Sequence, residues 1–147
     1  MTWIHDQIYA AGGEYIPSTW DAFMDQTGIS AILHFKPDSP QRFAGPVPAQ
    51  FLWMDVADEL HAGIQERLLA ALFLHTCITR KMRILLHSSL GLHRTRWAYV
   101  AYSICAGRSV KSALRTVAKP PWLAPYHTDQ TAWEEFAAAC RNGSVCG

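Results

Sequence analysis

RILLHSSLGLHRTRW, residues 83–97, decides how the rest of the chain is read. Its first half, Arg83 to His87, is an apolar run of strand-forming residues, and everything after Arg94 has helical character. Between them lie Ser88, Ser89, Gly91, His93 and Arg94. A strand, a glycine-containing loop and a helix in direct succession make a device for holding anions. The first turn of a helix carries unpaired backbone N–H groups, and its dipole places partial positive charge there. A loop curving around that end adds further N–H groups that point inward. Gly91 allows backbone dihedrals closed to other residues, and the planar fork of Arg94 matches two oxygens of a tetrahedral anion. The competing reading is a plain strand–turn–helix junction with an exposed arginine. A serine-hydrolase elbow is excluded. His87 stands where G-x-S-x-G needs its first glycine, only His93 and His127 follow, and the chain is too short for that architecture.

Working outward, strand and helix signals alternate. Ile4 to Ala10 reads as one strand, with Gly12-Gly13 ending it, and a helix follows Pro17 with Ser18 as its N-cap and Thr27-Gly28 as its stop. Ile29 to Phe35 is a short apolar run expected as a buried strand. Residues 36–50, rich in proline, form a loop, and Phe51 to Val56 is another strand before the acidic turn Ala57-Asp58-Glu59. Over Ala62 to Thr79 the recurrence of Ile64, Leu68, Leu72 and Ile78, widened by Leu69 and Phe73, predicts a helix burying that stripe. Thr95 to Ala106 is expected as a helix with Trp97, Val100, Ala101 and Ile104 on its inner face. Gly107 ends it, Ser109 caps a short helix through Ala118 stopped by Pro120-Pro121, and a last helix covers Thr128 to Arg141. The alternation predicts one α/β domain over residues 1–147, built on a mostly parallel sheet with helices on both sides.

At this point several segments resemble one family. His87, Gly91, Arg94 and Thr95 fall in register with H-C-x-x-G-x-x-R-[ST], the signature loop of the protein tyrosine phosphatase superfamily. FLWMDVADELHAGI (51–64) resembles that family's strand and general-acid loop, here 55–61, and puts Asp58 at the acid position. IYAAGGEYIPSTWDAFMDQTGISAILHF (8–35) is similar to the opening of dual-specificity phosphatases, and AYVAYSICAGRSVKSALRTV (98–117) to their two helices after the loop. The resemblance covers roughly residues 8 to 117 with its motifs in order. It implies the compact dual-specificity phosphatase fold and a shallow pocket open to phosphotyrosine, phosphoserine and phosphothreonine.

One position departs. Ser88 stands where the family carries its nucleophilic cysteine. The family's reaction, as the resemblance implies it, begins with attack of a thiolate on phosphorus to form a cysteinyl-phosphate, while the acid protonates the leaving oxygen. Water then releases phosphate. A thiol ionises near neutral pH when N–H groups and a helix terminus surround it. A serine hydroxyl does not, and losing an essential nucleophile costs ~10⁴–10⁶ in rate. Carried over residue by residue, Arg94 clamps phosphate and Thr95 bonds the nucleophile. The stretch Ser89, Leu90, Gly91, Leu92, His93 and Arg94 lines the phosphate, and His87 supports the loop. Asp55 is the runner-up acid, within the predicted strand. No lysine occupies positions 90, 92 or 93, so highly charged inositol phospholipid headgroups are not favoured.

Two functional classes follow. In one, the scaffold is a phosphatase and Ser88 makes it inactive or substrate-trapping. In the other, it is a pseudophosphatase that binds phosphorylated partners without turnover. The persistence of Asp58, Arg94 and Thr95 favours the first, because binding alone has no use for an acid. The expected ligands are a phosphorylated protein or a small phosphate monoester, with phosphate, sulfate or vanadate as simple probes. A formal charge of +1 gives no bias towards nucleic acid or an anionic membrane. Cys77, Cys105, Cys140 and Cys146 have no C-x-x-C spacing and fit buried thiols in a reducing cytosol. The chain shows no signal-peptide pattern and no apolar run near the ~20 residues a bilayer helix requires. No cofactor and no metal site are expected, the six tryptophans read as core residues, and the expected state is a cytoplasmic monomer.

Overall fold

The computed structural model describes residues 2–5, 7–12, 16–36, 42–57, 59–88, 96–118 and 128–143. In chain order these form β1 (Thr2–His5), β2 (Ile8–Gly12), α1 (Asp21–Thr27), β3 (Ile29–Phe35) and β4 (Gln50–Met54). A 3₁₀ turn (Glu59–His61), α2 (Ile64–Thr79), β5 (Arg83–Ser88), α3 (Arg96–Cys105), α4 (Val110–Val117) and α5 (Gln130–Gly143) follow. The strands make one sheet in the order β1-β2-β5-β3-β4. The β2–β5, β5–β3 and β3–β4 pairs are parallel, and β1 pairs antiparallel with β2. This is the mostly parallel α/β layering the alternation of signals predicts.

The sheet separates two apolar layers, because alternate residues of a strand point to opposite faces. Ala31, Leu33, Phe35, Ile84 and Leu86 pack with α2, α3, α4 and α5, including Leu74, Trp97, Val100 and Phe136. Ile32 and Leu85 pack on the other side with Trp20, Ile16 and Phe23 of the α1 segment. β3 is buried at every position and matches its predicted bounds. Its neighbours cover both edges, and a helix layer covers each face.

Four local expectations are corrected. The predicted strand over Ile4–Ala10 is a hairpin, Trp3 facing Tyr9 and His5 facing Ile8, with Gln7 in its turn. Ser18 does not cap α1. The helix starts at Asp21 after Trp20, with no side-chain cap. Burial of the Trp20 indole sets this start: its Nε1 donates to the Ile29 carbonyl at 2.8 Å. β4 ends at Met54, two residues before the predicted end. The largest correction concerns α2. Ile64, Leu69 and Leu72 of the predicted inner stripe face solvent, at 39, 47 and 36% exposure. The buried face is Arg67, Ala70, Ala71, Leu74 and Cys77. Apolar residues surround most of this helix, and the alanine face permits the closest approach to the layer below.

Other punctuation lies where expected. Gly28 takes a left-handed φ of 75° and its N–H bonds the Met24 carbonyl. Gly107 has φ 110°, and the Ser109 hydroxyl accepts from the Ser112 N–H at 3.1 Å. Trp20, Trp97 and Trp133 are core residues, whereas Trp3 is 56% exposed. The Cys77 thiol is buried, and burial pushes its pKa up to about 11. Cys105 and Cys140 bring their Sγ atoms to 2.9 Å across the α3–α5 contact. The predicted stop at Pro120-Pro121 lies outside the described residues. Among the described residues, no helix is long and apolar enough to cross a membrane.

Candidate functional site

Two of the chemistry-bearing residues, His87 and Ser88, end the central strand of the sheet. β5 runs between β2 and β3, and Ser88 is its last residue. The register puts Ser88 beside Gly12 on one side and Phe35 on the other, with Phe35 in turn beside Met54. Four parallel strands therefore finish along one row. Ligands of open α/β sheets bind beyond such carboxyl ends. Ser88 is 2% exposed, and α3 begins at Arg96 after seven intervening residues.

The loop expected to carry the acid leaves from the same row. Asp55 follows directly after β4 and is exposed, Val56 is buried again, and the 3₁₀ turn starts at Glu59. β4 stands two strands from β5, so the two departure points are ~10 Å apart. Asp58, Ser89, Leu90, Gly91, Leu92, His93, Arg94 and Thr95 lie outside the described residues. Of the residues singled out in the sequence, His87 and Ser88 are placed at the end of the central strand, and Asp55, expected within a strand, follows just after β4.

His87 sits in a setting the sequence did not announce. It is 2% exposed, and its Nδ1 lies 3.0 Å from Nδ1 of His34, its register partner on β3. The rings are tilted by 32° with centroids 5.0 Å apart. Burial, reinforced by the neighbouring His87 and Lys36, pulls the His34 pKa down from 6.5 to about 4. At neutral pH His34 is therefore an uncharged imidazole. Strand alternation sends the His87 ring to the face opposite the Ser88 side chain. His87 is thus not set to act as a base on Ser88.

A second polar cluster anchors the turn that follows β4. Glu59 Oε1 accepts from Trp133 Nε1 at 2.9 Å and from the Thr128 hydroxyl, and lies 3.9 Å from Arg67 Nη2. The Arg67 guanidinium stacks 4.0 Å from the centre of the Trp133 ring. Loop, α2 and α5 thus meet at one carboxylate. Arg96, in the first turn of α3, is fully buried.

Sequence reading missed His34, Glu59, Arg67 and Arg96. A lone imidazole in the apolar run ISAILHF and the repeated arginine in HRTRW were the available signals. Glu59 and Arg67 had none, because an acidic turn and a helix arginine are ordinary surface features.

No protein-family model and no curated protein matches the chain. Solved structures do match it. DUSP15 superposes with a TM-score of 0.74 at 21% identity, over 99% of this chain and 92% of that one. Human DUSP28 gives 0.74 at 13% identity, covering 97% and 99%. A mouse putative dual specificity phosphatase complexed with zinc tungstate gives 0.72 at 11% identity, covering 97% and 89%. At these identities the likeness is one of fold: the chain has the compact dual-specificity phosphatase fold.

Proposed function

We propose that this chain, folded as the dual-specificity phosphatases are, is a phosphatase domain whose 87–95 loop holds the phosphate of a phosphate monoester. Serine at position 88 leaves it inactive or substrate-trapping. The observation that carries this reading is the placement of Ser88, buried at the end of the central parallel strand with α3 starting at Arg96. In the proposed chemistry, backbone N–H groups of Ser89 to Arg94 and the Arg94 guanidinium hold the three non-bridging oxygens. With cysteine at 88, its thiolate attacks phosphorus, the P–O bond to the leaving group breaks, and Asp58 gives that oxygen its proton. Water then attacks the cysteinyl-phosphate, with Asp58 now taking a proton. Thr95 bonds the departing sulfur. A serine hydroxyl does not ionise near neutral pH as a thiol can, so binding survives while turnover falls by ~10⁴–10⁶.

A likeness to a phosphatase bound to zinc tungstate, a tetrahedral oxyanion, supports the choice of ligand. The candidate substrates are phosphorylated proteins and small phosphate monoesters. Ser88 itself favours a second reading, in which the domain binds phosphorylated partners without hydrolysing them.

The test is Ser88→Cys assayed with a generic aryl phosphate from pH 5 to 8. Vanadate-sensitive turnover, abolished again by Arg94→Ala, is the expected result. No activity from the thiol would refute the phosphatase reading and favour the binding one. In the chain as it stands, millimolar phosphate, sulfate or vanadate should raise the melting temperature. No shift with any of them would refute the loop assignment.

A further inference from the structure

Helices α3 and α5 pack through facing apolar stripes. On α5, Trp133, Phe136 and Ala137 are buried, and Cys140 continues that stripe at helical spacing. On α3, Ala101 and Ile104 are buried, and Cys105 is the last residue of the helix. Both cysteines are half-buried thiols packed on the core. Their Sγ atoms stand 2.9 Å apart. A disulfide bond is ~2.05 Å long, so an approach of about 1 Å converts this contact into a bridge. The packed stripes already hold the two helices together, so that approach falls to the side chains. Partial exposure leaves both sulfurs open to a small oxidant, whereas Cys77 is buried and its pKa is raised to about 11.

We propose that Cys105 and Cys140 are a redox site: a peroxide oxidises the pair to a reversible disulfide that fastens the end of α5 to the end of α3. One thiolate attacks a peroxide oxygen, forming an S–O bond as the O–O bond breaks, and the departing hydroxide takes a proton to leave as water. The second thiolate attacks the sulfenic sulfur, the S–S bond forms, the S–O bond breaks, and a second water leaves. Two thiols and one hydrogen peroxide thus give one disulfide and two waters, the sulfurs losing the two electrons that the peroxide oxygens gain. A thiol reductant reverses the step by exchange and is itself oxidised to a disulfide. Where glutathione keeps thiols reduced, such a bridge is transient and reports oxidant.

The bridge adds a restraint where α5 has none of the polar ones near its start. Trp133 ties the first turn of α5 to Glu59, and Cys140 lies ~10 Å further along the helix. The ring it closes spans 35 positions, which restricts the unfolded chain. Oxidation should therefore raise the melting temperature by about 5–10 °C. Cys105 lies ~13 Å along α3 from Arg96, at the end away from the 87–95 loop, so the proposal stands apart from the phosphatase reading.

Peptide mapping of the chain as it stands tests it. Trypsin puts the four cysteines on separate peptides, 68–80, 97–108, 116–141 and 142–147, because Pro120 protects Lys119. The folded chain is treated with a slight molar excess of hydrogen peroxide, blocked with N-ethylmaleimide in denaturant and digested. The expected product is 97–108 joined to 116–141, released by dithiothreitol, with maleimide on Cys77 and Cys146. The oxidised chain should melt higher than the reduced one, and Cys140→Ala should lose both the cross-link and the gain. Maleimide on both Cys105 and Cys140 after peroxide, a bridge to Cys77 or Cys146 instead, or a bridged chain that melts no higher than the reduced one would overturn the proposal. If Cys140→Ala does not fold, the mapping and melting of the unaltered chain decide it alone.

Discussion

Removing the Glu59 carboxylate tests whether a polar cluster holds the 3₁₀ turn after β4 to the body of the protein. Arg67 and Glu59 side chains are 6% and 15% exposed, 3.9 Å apart. Glu59→Ala leaves a nearly buried guanidinium without its counter-charge and takes one acceptor from each of Trp133 and Thr128. Breaking one partner of a buried pair costs ~3–5 kcal/mol. Two features reduce that here. The Trp133 N–H retains the Thr128 hydroxyl as an acceptor at 2.7 Å, and the guanidinium retains the indole face. The expected loss is therefore ~3 kcal/mol for Glu59→Ala, at the low end of that range. Glu59→Gln keeps an acceptor oxygen, so its loss should be ~1 kcal/mol. For a chain of this size, 3 kcal/mol corresponds to a melting temperature lower by about 6–12 °C. Urea unfolding monitored by circular dichroism measures both variants, alone and with Arg67→Met. Contacting charges should be non-additive by ~1 kcal/mol or more. A Glu59→Ala loss below ~0.5 kcal/mol, within the range of an ordinary surface substitution, or strict additivity with Arg67→Met, would refute the reasoning.

Acid should weaken the fold through His34, whose pKa falls from 6.5 to about 4 on burial. Between those values the unfolded chain binds a proton that the folded one refuses, so stability is full above pH 6.5 and declines towards pH 4. The contribution is at most ~3 kcal/mol, and His34→Asn should flatten the stability–pH curve over that window when urea midpoints are compared. Cys77, buried with its pKa raised to about 11, should resist iodoacetamide at pH 7.5 in the folded protein. It should react only after denaturation, as peptide mass spectrometry would show.

Residues whose neighbours lie close in sequence were legible. The apolar run Ile29–Phe35 is a buried strand because four to eight apolar residues between turn signals have few other solutions. Gly28 and Ser109 end and start helices through bonds made within four residues. The α2 helix shows the opposite case. Its leucines offered one inner face and its alanines another, and only the shape of the surface below selected Ala70 and Ala71. The 4–10 segment likewise read as one strand because apolar residues continue through it, whereas pairing with β5 and folding back on itself divide it.

The sequence by itself determined the layered α/β plan and the strand and helix that bracket residues 89–95, since periodicity and spacing are local quantities, while the serine at 88 stood out only through the family resemblance. Tertiary structure alone decided the buried polar partnerships. His34 meets His87 across 53 positions and Glu59 meets Trp133 across 74. No local pattern encodes such pairs. They exist because parallel strand register and helix packing bring buried polar groups together, and burial makes each group's partner decide its proton, its charge and its cost.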